Sequence, residues 1–296
     1  MVIFRSKLVI LSQNIYKYLL LYIFNIRNLL IMKDFIFKLL VKILSKFKKT
    51  NSRDFLESLE YLILTVNGKH RNGYSLEDEV RVIHQIFKDK KINNIIDCGA
   101  NEGLYTDSLI SFFPNANYFL IEPNKKLFSA LSKKYSDFNN IKIFEYALSD
   151  QSEEVDFFET TYHGLSSLYK RKHESRNEEI LEFRSNTKVK AVKFESLNIT
   201  EPIDFLKIDV EGAELKVLKG FEDKIRNVSV IQFEFGRANL DSKDTFLDFY
   251  NFFRNNNFDL YRITPSKLNK INKYSYFEEM YIAMNFIAIN RDKVRI

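Results

Sequence analysis

The chain has 296 residues, of which 45% are hydrophobic and 15% aromatic, so a disordered protein is excluded and one large folded domain with an appendage is expected. Its single cysteine, Cys98, excludes an internal disulfide framework and a zinc site built on several thiolates. The net charge of +6 is uneven: residues 1–53 carry 11 Lys/Arg and one acid, whereas the rest carries 34 basic and 38 acidic side chains. This acidic body disfavours a nucleic-acid-binding protein.

Residues 1–50 are predicted to form a basic, amphipathic helical arm. The apolar run 8–32 is interrupted by Lys17 and Arg27, so its charge-free stretches are too short to span a bilayer. In the next segment, three lysines recur at four-residue spacing among Phe, Leu, Ile and Val: Lys38, Lys42 and Lys46. This pattern is typical of a helix that lies in an anionic membrane surface.

Two other interpretations of the arm stay open. It can pack on the body or on a second subunit, or translation can begin at Met32. The membrane interpretation predicts a cytoplasmic protein that is peripheral on the inner face of the cell membrane. A truncated chain lacking residues 1–50 that still sediments with membranes would exclude this interpretation. The oligomeric state is left open.

Residues 51–90 are predicted to be a helical lead-in to the main domain, 91–296. Ser75 is the expected N-cap of a helix over 75–87, because acids follow it in the first turn. From residue 91 onward, apolar runs alternate with amphipathic helical patterns. The predicted strands are 92–97, 117–122, 141–146, 203–209, 228–235, 258–263 and 281–289. The helices between them are predicted at 103–113, near 124–136, up to Gly220, and near 243–256. This alternation indicates an α/β fold whose mostly parallel sheet is covered on both faces.

Residues 151–200 interrupt that alternation. Two segments with period-two patterning, "EEVDFFET" and "TKVKAVKF", predict hairpin strands that flank a polar stretch. We expect this insertion to shape substrate selection, as loops on such sheets commonly do.

The strongest functional signal is "IIDCGANEGLYT", residues 95–106. A buried strand ends at Asp97, and Gly99 and Gly103 flank a turn into a helix, where the backbone can approach a ligand closely. The next strand ends at Glu122, an acid placed to accept hydrogen bonds from ribose hydroxyls. The turn differs from the dinucleotide fingerprint Gly-x-Gly-x-x-Gly, so the pattern predicts a nucleoside ligand without a pyrophosphate.

Over residues 91–290 the chain resembles the FkbM-type S-adenosylmethionine-dependent methyltransferases. The resemblance rests on "IDCGANEGLYT", "FLIEPN", "EYALSD", "GLSSL", "DFLKIDVEGAELKVLKG" and "VSVIQFEFG", in the family's order. It implies a Rossmann-like class I methyltransferase fold, with a mostly parallel seven-stranded sheet and a terminal antiparallel strand. It also implies methyl transfer from S-adenosylmethionine to a hydroxyl, often on a sugar or secondary metabolite.

The same resemblance assigns the cofactor-binding residues. The amino-acid part of the cofactor would be surrounded by Asp97, Gly99, Ala100, Asn101 and Gly103. Glu122 would hold the ribose, Asn124 would lie beside the adenine, and Ala147 and Leu148 would line its other edge. Ordinary helix capping or surface exposure is the alternative for Asp97 and Glu122.

Asp209, at the end of the fourth strand of the main domain, is the first candidate to contact or deprotonate the acceptor. Glu211 and Glu214 are expected in the first turn of the following helix, where carboxylates favourably meet the positive end of the dipole. For Glu214 we expect a capping role, whereas Glu211 stays open between capping and catalysis. Glu234 could join Asp209 around a divalent cation, but two acids without a third ligand are weak evidence, so no metal is predicted.

His163, in the insertion, is a further candidate base, although a solvated loop histidine is the simpler interpretation. Ser166 and Ser167 are expected either to bind substrate or to satisfy a turn. Lys207 is unusual inside a buried strand and is expected to pair with a nearby acid.

The leading hypothesis is an O-methyltransferase that acts on a sugar or glycan intermediate. The alternatives are a non-catalytic protein that keeps the cofactor fold, or methylation of a lipid, polyketide or peptide group. A Rossmann oxidoreductase would require the longer glycine fingerprint, which is absent.

Overall fold

The computed structural model describes residues 36–39, 41–42, 52–69, 75–160, 166–170, 183–264 and 267–294. The chain divides into two compact units, Met1–Leu62 and Ile63–Ile296. Residues 36–39 and 41–42 are helical, and the remainder of the predicted N-terminal arm lies outside the described residues. Its contact with a membrane therefore stays a prediction. Within the described ranges, no helix combines the length and apolar character needed to cross a bilayer.

Helix α1 (Ser52–Val66) runs across the division between the units. The elements that follow alternate between helix and strand as the sequence predicts. In chain order they are α2 Leu76–Ile86, β1 Asn94–Cys98, α3 Leu104–Phe112, β2 Asn117–Ile121, α4 Lys125–Lys134, β3 Ile141–Phe144, β4 Ala147–Leu148, β5 Glu153–Thr160, β6 Phe183–Val192, β7 Ile203–Ile208, α5 Glu214–Gly220, β8 Val228–Phe235, α6 Ala238–Ser242, α7 Phe246–Asn255, β9 Phe258–Ile263, β10 Leu268–Lys270 and β11 Met284–Asn290.

The main sheet has eight strands in the order β10-β9-β11-β8-β7-β1-β2-β3. Strands β8, β7, β1, β2 and β3 are parallel to one another, whereas β11 is antiparallel to both β8 and β9. The predicted fold class, with its late antiparallel strand, is confirmed. The sequence predicts seven strands, and the eighth is the three-residue edge strand β10, which is too short to give a clear pattern.

Helices cover both faces of the sheet because each buried strand is apolar on both sides. On one face, side chains of α2, α3 and α4 pack against the sheet, including Ile83, Leu109 and Leu131. On the other face, α5 and α7 do so, and the rings of Phe233 and Phe249 stack with centroids 5.1 Å apart. The alternation of side chains along β1 sends Ile95 into the first core and Ile96 into the second.

Helix α2 begins as predicted at a capping box. The Ser75 hydroxyl accepts a hydrogen bond from the Asp78 backbone N–H, and the Asp78 carboxylate accepts one from the Ser75 backbone N–H. This cap fixes the start of α2, so that Glu79, one residue further on, lies on the face that packs against the sheet.

The insertion forms a second, three-stranded sheet in the order β4-β6-β5. Strands β5 and β6 are antiparallel, which confirms the predicted hairpin, and β4 joins β6 in parallel. Residues 161–165 and 171–182 lie outside the described residues. This small sheet places the two residues of β4 beside the carboxyl ends of the main strands, where the site lies.

Candidate active site

The turn between β1 and α3 brings backbone N–H groups to the carboxyl end of the sheet. Gly99 and Ala100 donate their backbone N–H groups to the Ile121 carbonyl oxygen at 2.9 and 3.2 Å. Gly99 has a φ of 84°, and a Cβ there would lie 1.9 Å from the carbonyl oxygen of Asp209. Only glycine permits both the conformation and the close approach, so the turn is held directly against the end of β7.

Glu122 ties the ends of β1 and β2 together. Its carboxylate accepts backbone hydrogen bonds from Asn101 and from Asn124, each at 2.9 Å. Burial raises the pKa of Glu122 to about 7, although these two hydrogen bonds lower it. Two acceptor lone pairs of the carboxylate remain for a ligand. The side chain of Asn124 is the N-cap of α4, since its Oδ1 accepts a hydrogen bond from the Lys126 backbone N–H at 2.9 Å.

A cavity of about 310 Å³ opens at this end of the sheet. Among the residues predicted for the site, those lining the cavity are Gly99, Ala100, Asn101, Glu122, Ala147, Leu148, Asp209 and Glu211. The other three predicted cofactor residues do not line it: Asp97 accepts a hydrogen bond from Thr106 of α3, and Gly103 and Asn124 are the N-caps of α3 and α4. Six of the nine predicted cofactor residues thus share one continuous space with the predicted acceptor-side acids Asp209 and Glu211.

Lys207 links two of the predicted acids. Its Nζ donates a hydrogen bond to Asp209 Oδ2 at 3.1 Å and lies 3.8 Å from Asp97 Oδ1, too far for a hydrogen bond. Burial on its own lowers the pKa of Lys207, but Asp209 and Asp97 raise it above its usual value, so the ammonium stays charged. The pairing of Lys207 with acids is as the sequence predicts.

Asp97 is fully buried, whereas the side chain of Asp209 is 27% exposed and lines the cavity. The Thr106 hydroxyl donates a hydrogen bond to Asp97 Oδ2 at 2.6 Å. Burial raises the pKa of Asp97, although Lys207 lowers it. The geometry makes Asp97 a support for Lys207 and α3, and makes Asp209 the acid that a ligand can reach.

The turn after β7 differs from the expectation that Glu211 and Glu214 begin a helix together. Glu211 lies in the turn itself with a φ of 57°, three residues before α5 begins. Glu214 is the first residue of α5, but its carboxylate accepts hydrogen bonds from the backbone N–H groups of Val210 and Gly212 and from Asn239 Nδ2. It therefore holds the turn and α6 in place. Burial raises the pKa of Glu214 to about 7.

Glu211 lies beside Asp209 and Glu234, the two acids that the sequence identified only as weak evidence for a cation site. Carboxylate oxygens of Asp209, Glu211 and Glu234 lie within 4.8 Å of one another. The sequence did not indicate Glu211 in this role, because its position depends on the left-handed turn. Lys207 Nζ, hydrogen-bonded to Asp209, already supplies a positive charge to this group.

Four buried residues with polar groups near the cavity were not predicted. Glu79 of α2 accepts hydrogen bonds from Gln232 Nε2 at 2.8 Å and from Asn285 Nδ2 at 2.9 Å. The Tyr105 hydroxyl donates to Gln232 Oε1 at 2.7 Å. One signal was available: each of these residues interrupts an otherwise buried apolar pattern, which is unusual without a partner.

The candidates in the insertion have different outcomes. His163 lies outside the described residues. Ser166 lines the cavity, and its hydroxyl accepts a hydrogen bond from the Thr160 backbone N–H at 3.2 Å. The Ser167 hydroxyl donates to the Glu211 carbonyl oxygen at 2.6 Å, so it fixes the turn.

The fold and the site together define a class. An antiparallel β11 inserted between β8 and β9, with a glycine turn after β1 and an acid ending β2, is the arrangement of a Rossmann-like methyltransferase. A family model described as the methyltransferase FkbM domain matches residues 97–260. The chain belongs to the FkbM methyltransferase family, as the sequence motifs predict.

Individual relatives are distant. The chain is 23% identical over 156 residues to the 2-O-methyltransferase NoeI of Sinorhizobium fredii, covering 49% of this chain and 64% of that protein. It is 28% identical over 173 residues to the methyltransferase sdnD of Sordaria araneosa, covering 47% of this chain and 66% of that protein. A crystal structure of methyltransferase FkbM from Methylobacillus flagellatus aligns with 16% identity and a TM-score of 0.43, covering 67% of this chain and 44% of that one. The chain thus spans less than two thirds of each relative.

Glu122→Gln is expected to weaken the binding of S-adenosylhomocysteine, the demethylated cofactor, at least about tenfold at pH 8. Ribose hydroxyls donate best to an ionised carboxylate, and the pKa of Glu122 is about 7. Affinity should therefore rise in the wild type as pH increases through about 7, whereas glutamine should give a flat profile. Calorimetric titrations between about pH 6 and pH 8.5 measure both.

Glu77→Gln, on the exposed surface of α2, is the matched control and should retain the wild-type pH profile. A Glu122→Gln profile that still rises with pH would contradict the assignment. The raised pKa of Glu122 affects folding in the opposite direction: as pH rises, affinity for the ligand increases but the stability of the ligand-free protein decreases. The folded state holds the proton more tightly than the unfolded state, so this contribution to stability is present below the ordinary value of 4.5 and is lost as pH rises through about 7.

Proposed function

We propose that this protein is an S-adenosylmethionine-dependent O-methyltransferase whose acceptor is a hydroxyl group of a sugar or glycan intermediate. The observation that carries the proposal is the single cavity that joins the turn at Gly99–Asn101 and Glu122 to the reachable carboxylate of Asp209. S-adenosylmethionine supplies an electrophilic methyl group on a sulfonium. The site then requires groups that bind the nucleoside and an acid at the acceptor.

The residues present fit this cofactor. Glu122 has acceptor lone pairs for ribose hydroxyls, and the buried Oδ1 of Asn101 has no hydrogen-bond partner among the described residues. Ala147 and Leu148 provide an apolar wall suited to the adenine. Five acids and one lysine line the cavity, which suits a ligand with a net positive charge.

Asp209 is the proposed proton acceptor for the acceptor hydroxyl. Lys207 holds its carboxylate by a hydrogen bond at 3.1 Å, and the Asp209 backbone N–H donates to the Cys98 carbonyl oxygen at 3.0 Å. The first contact fixes the carboxylate and the second fixes the backbone that carries it, so little reorganisation is required when the substrate arrives. Positioning supplies much of the rate, and the base adds to it.

The choice of oxygen and of a sugar is the finer part of the proposal. The name of the Sinorhizobium relative, a 2-O-methyltransferase, supports transfer to oxygen. The insertion sheet, whose Phe157 and nearby Leu168 line the cavity, is positioned to select the acceptor. The cytoplasmic face of the cell membrane is proposed as the location on the charge pattern of residues 1–50 alone.

Two measurements test the proposal. Purified protein is expected to bind S-adenosylhomocysteine in calorimetry. With methyl-labelled S-adenosylmethionine, the protein is expected to label a carbohydrate fraction of source-cell lysate, with a methyl ether identified by mass spectrometry. Failure to bind either form of the cofactor refutes the proposal. Binding without transfer to any fraction favours the alternative of a non-catalytic cofactor-binding protein.

A further inference from the structure

Glu79, Gln232, Asn285 and Tyr105 form a buried polar network beside the cavity. Glu79 and Asn285 are 2% and 3% exposed, and both line the cavity together with Asp209. Glu79 precedes and Asn285 follows the residues 97–260 that match the family. Both residues therefore lie outside the segment that the family model matches.

The network dictates which way the Asn285 amide is turned. Its Nδ2 lies 2.9 Å from both Oε1 and Oε2 of Glu79. Because Glu79 is the acceptor in both contacts, the NH₂ group of Asn285 faces Glu79 and its Oδ1 faces away. Gln232 cannot replace it, because its Nε2 donates to Glu79 and its Oε1 accepts from the Tyr105 hydroxyl.

The Oδ1 of Asn285 is consequently presented as a hydrogen-bond acceptor without a donor. It is buried and has no hydrogen-bond partner within the described part of the chain. A buried acceptor left unpaired costs about 1–3 kcal/mol, so a ligand that donates a hydrogen bond here gains affinity.

Strand order separates this atom from the cofactor end of the cavity. Glu122 follows β2, Asp209 follows β7 and Asn285 is in β11, so each step crosses two strands of the sheet, about 10 Å. Asn285 is the cross-strand neighbour of Glu234, whose carboxylate lies within 4.8 Å of that of Asp209. The unpaired acceptor thus lies beyond Asp209 on the side opposite Glu122.

The charge of the cavity limits what can bind there. The charged residues lining it are Glu79, Glu102, Glu122, Asp209, Glu211 and Lys207. With five acids and one base, a phosphate or carboxylate on the acceptor would meet like charge in a space of low dielectric.

We propose that Asn285, oriented by Glu79, accepts a hydrogen bond from a second hydroxyl of the methyl acceptor, and that the acidic cavity selects neutral polyhydroxy compounds over phosphorylated or carboxylated ones. This inference rests on the proposed function and deepens it. Asn285 contacts the substrate, and Glu79 is a positioning residue that acts through it.

The test uses full-length protein saturated with S-adenosylhomocysteine and a panel of small probes. The neutral probes are the methyl glycosides of glucose, mannose, galactose and fucose, and the anionic probes are glucose 6-phosphate and glucuronate. Binding is measured by saturation-transfer NMR titration. At least one neutral glycoside is expected to bind, and at least about tenfold more tightly than either anionic probe.

Asn285→Ala is expected to weaken the binding of that glycoside about tenfold and to leave the affinity for S-adenosylhomocysteine unchanged. Glu79→Gln should have the same effect, because a glutamine can donate to Asn285 and release the constraint on its amide. Asn272→Ala, at an exposed position, is the matched control and should match the wild type.

The possible failures separate the two proposals. Absence of S-adenosylhomocysteine binding in the wild type refutes the proposed function. If the wild type does bind S-adenosylhomocysteine, three results refute the inference and leave the proposed function standing. They are that no glycoside binds, that an anionic probe binds more tightly than the glycosides, or that Asn285→Ala binds the glycoside as the wild type does. If Asn285→Ala does not fold, two other measurements test the inference: the preference of the wild type between neutral and anionic probes, and the affinity of Glu79→Gln for the glycoside.

Discussion

Asp209→Asn is expected to lower the rate of methyl transfer by roughly 10²–10⁴-fold, the contribution typical of a general base, while the affinity for S-adenosylhomocysteine stays close to that of the wild type. Asparagine has nearly the same size and can keep the backbone contact with Cys98, but its amide cannot take a proton from a hydroxyl. Lys207 keeps Asp97 as a neighbour at 3.8 Å, so the substitution does not leave the ammonium isolated.

The rate is measured as single-turnover transfer of labelled methyl to the acceptor fraction, and the affinity by calorimetry. Asp89→Asn removes the same charge at an exposed position and is expected to leave both quantities unchanged. Parallel loss of transfer and cofactor affinity in Asp209→Asn would assign Asp209 to cofactor binding instead. An unchanged rate would show that positioning alone drives the reaction.

Gly99→Ala is expected to reduce the free energy of unfolding by about 2–5 kcal/mol, the sum of a left-handed conformation and an enforced overlap. The φ of 84° disfavours any L side chain. The added Cβ would lie 1.9 Å from the Asp209 carbonyl oxygen, which belongs to rigid backbone. The affinity for S-adenosylhomocysteine should fall roughly a hundredfold, because displacing this turn misplaces contacts worth about 3 kcal/mol.

Denaturant titration measures the stability of Gly99→Ala, and calorimetry measures its remaining affinity. Ser111→Ala, on the exposed side of α3, is the control and should change neither. A Gly99→Ala protein with wild-type stability and affinity would mean that the ends of β1 and β7 do not approach each other as described.

Features set by neighbours along the chain were predictable from the sequence. The strands β8 and β9 were predicted at their observed bounds, because each is a short segment rich in apolar and aromatic residues that lies between turn residues. The glycine turn at Gly99 and the acid Glu122 were found in the same way, since glycine tolerates the positive φ and the acid ends a strand.

Features set by partners distant in the chain were not predictable. Glu79 and Asn285 are 206 positions apart, and their contact depends on β11 lying next to β8. The role of Glu214 also depends on a distant residue, because its carboxylate accepts a hydrogen bond from the side-chain amide of Asn239. A pattern-based rule identifies an acid at the start of a helix, but it contains no information on which element lies opposite.

The insertion of β11 between β8 and β9 imposes an order on biosynthesis. Both flanking strands leave the ribosome before β11, so each has an unpaired edge until residues 284–290 emerge and pair with them. Exposed edges of apolar strands promote association between chains, so association of nascent chains is favoured in this interval. The sheet closes late, and Asn285, carried by β11, reaches Glu79 only in that final step.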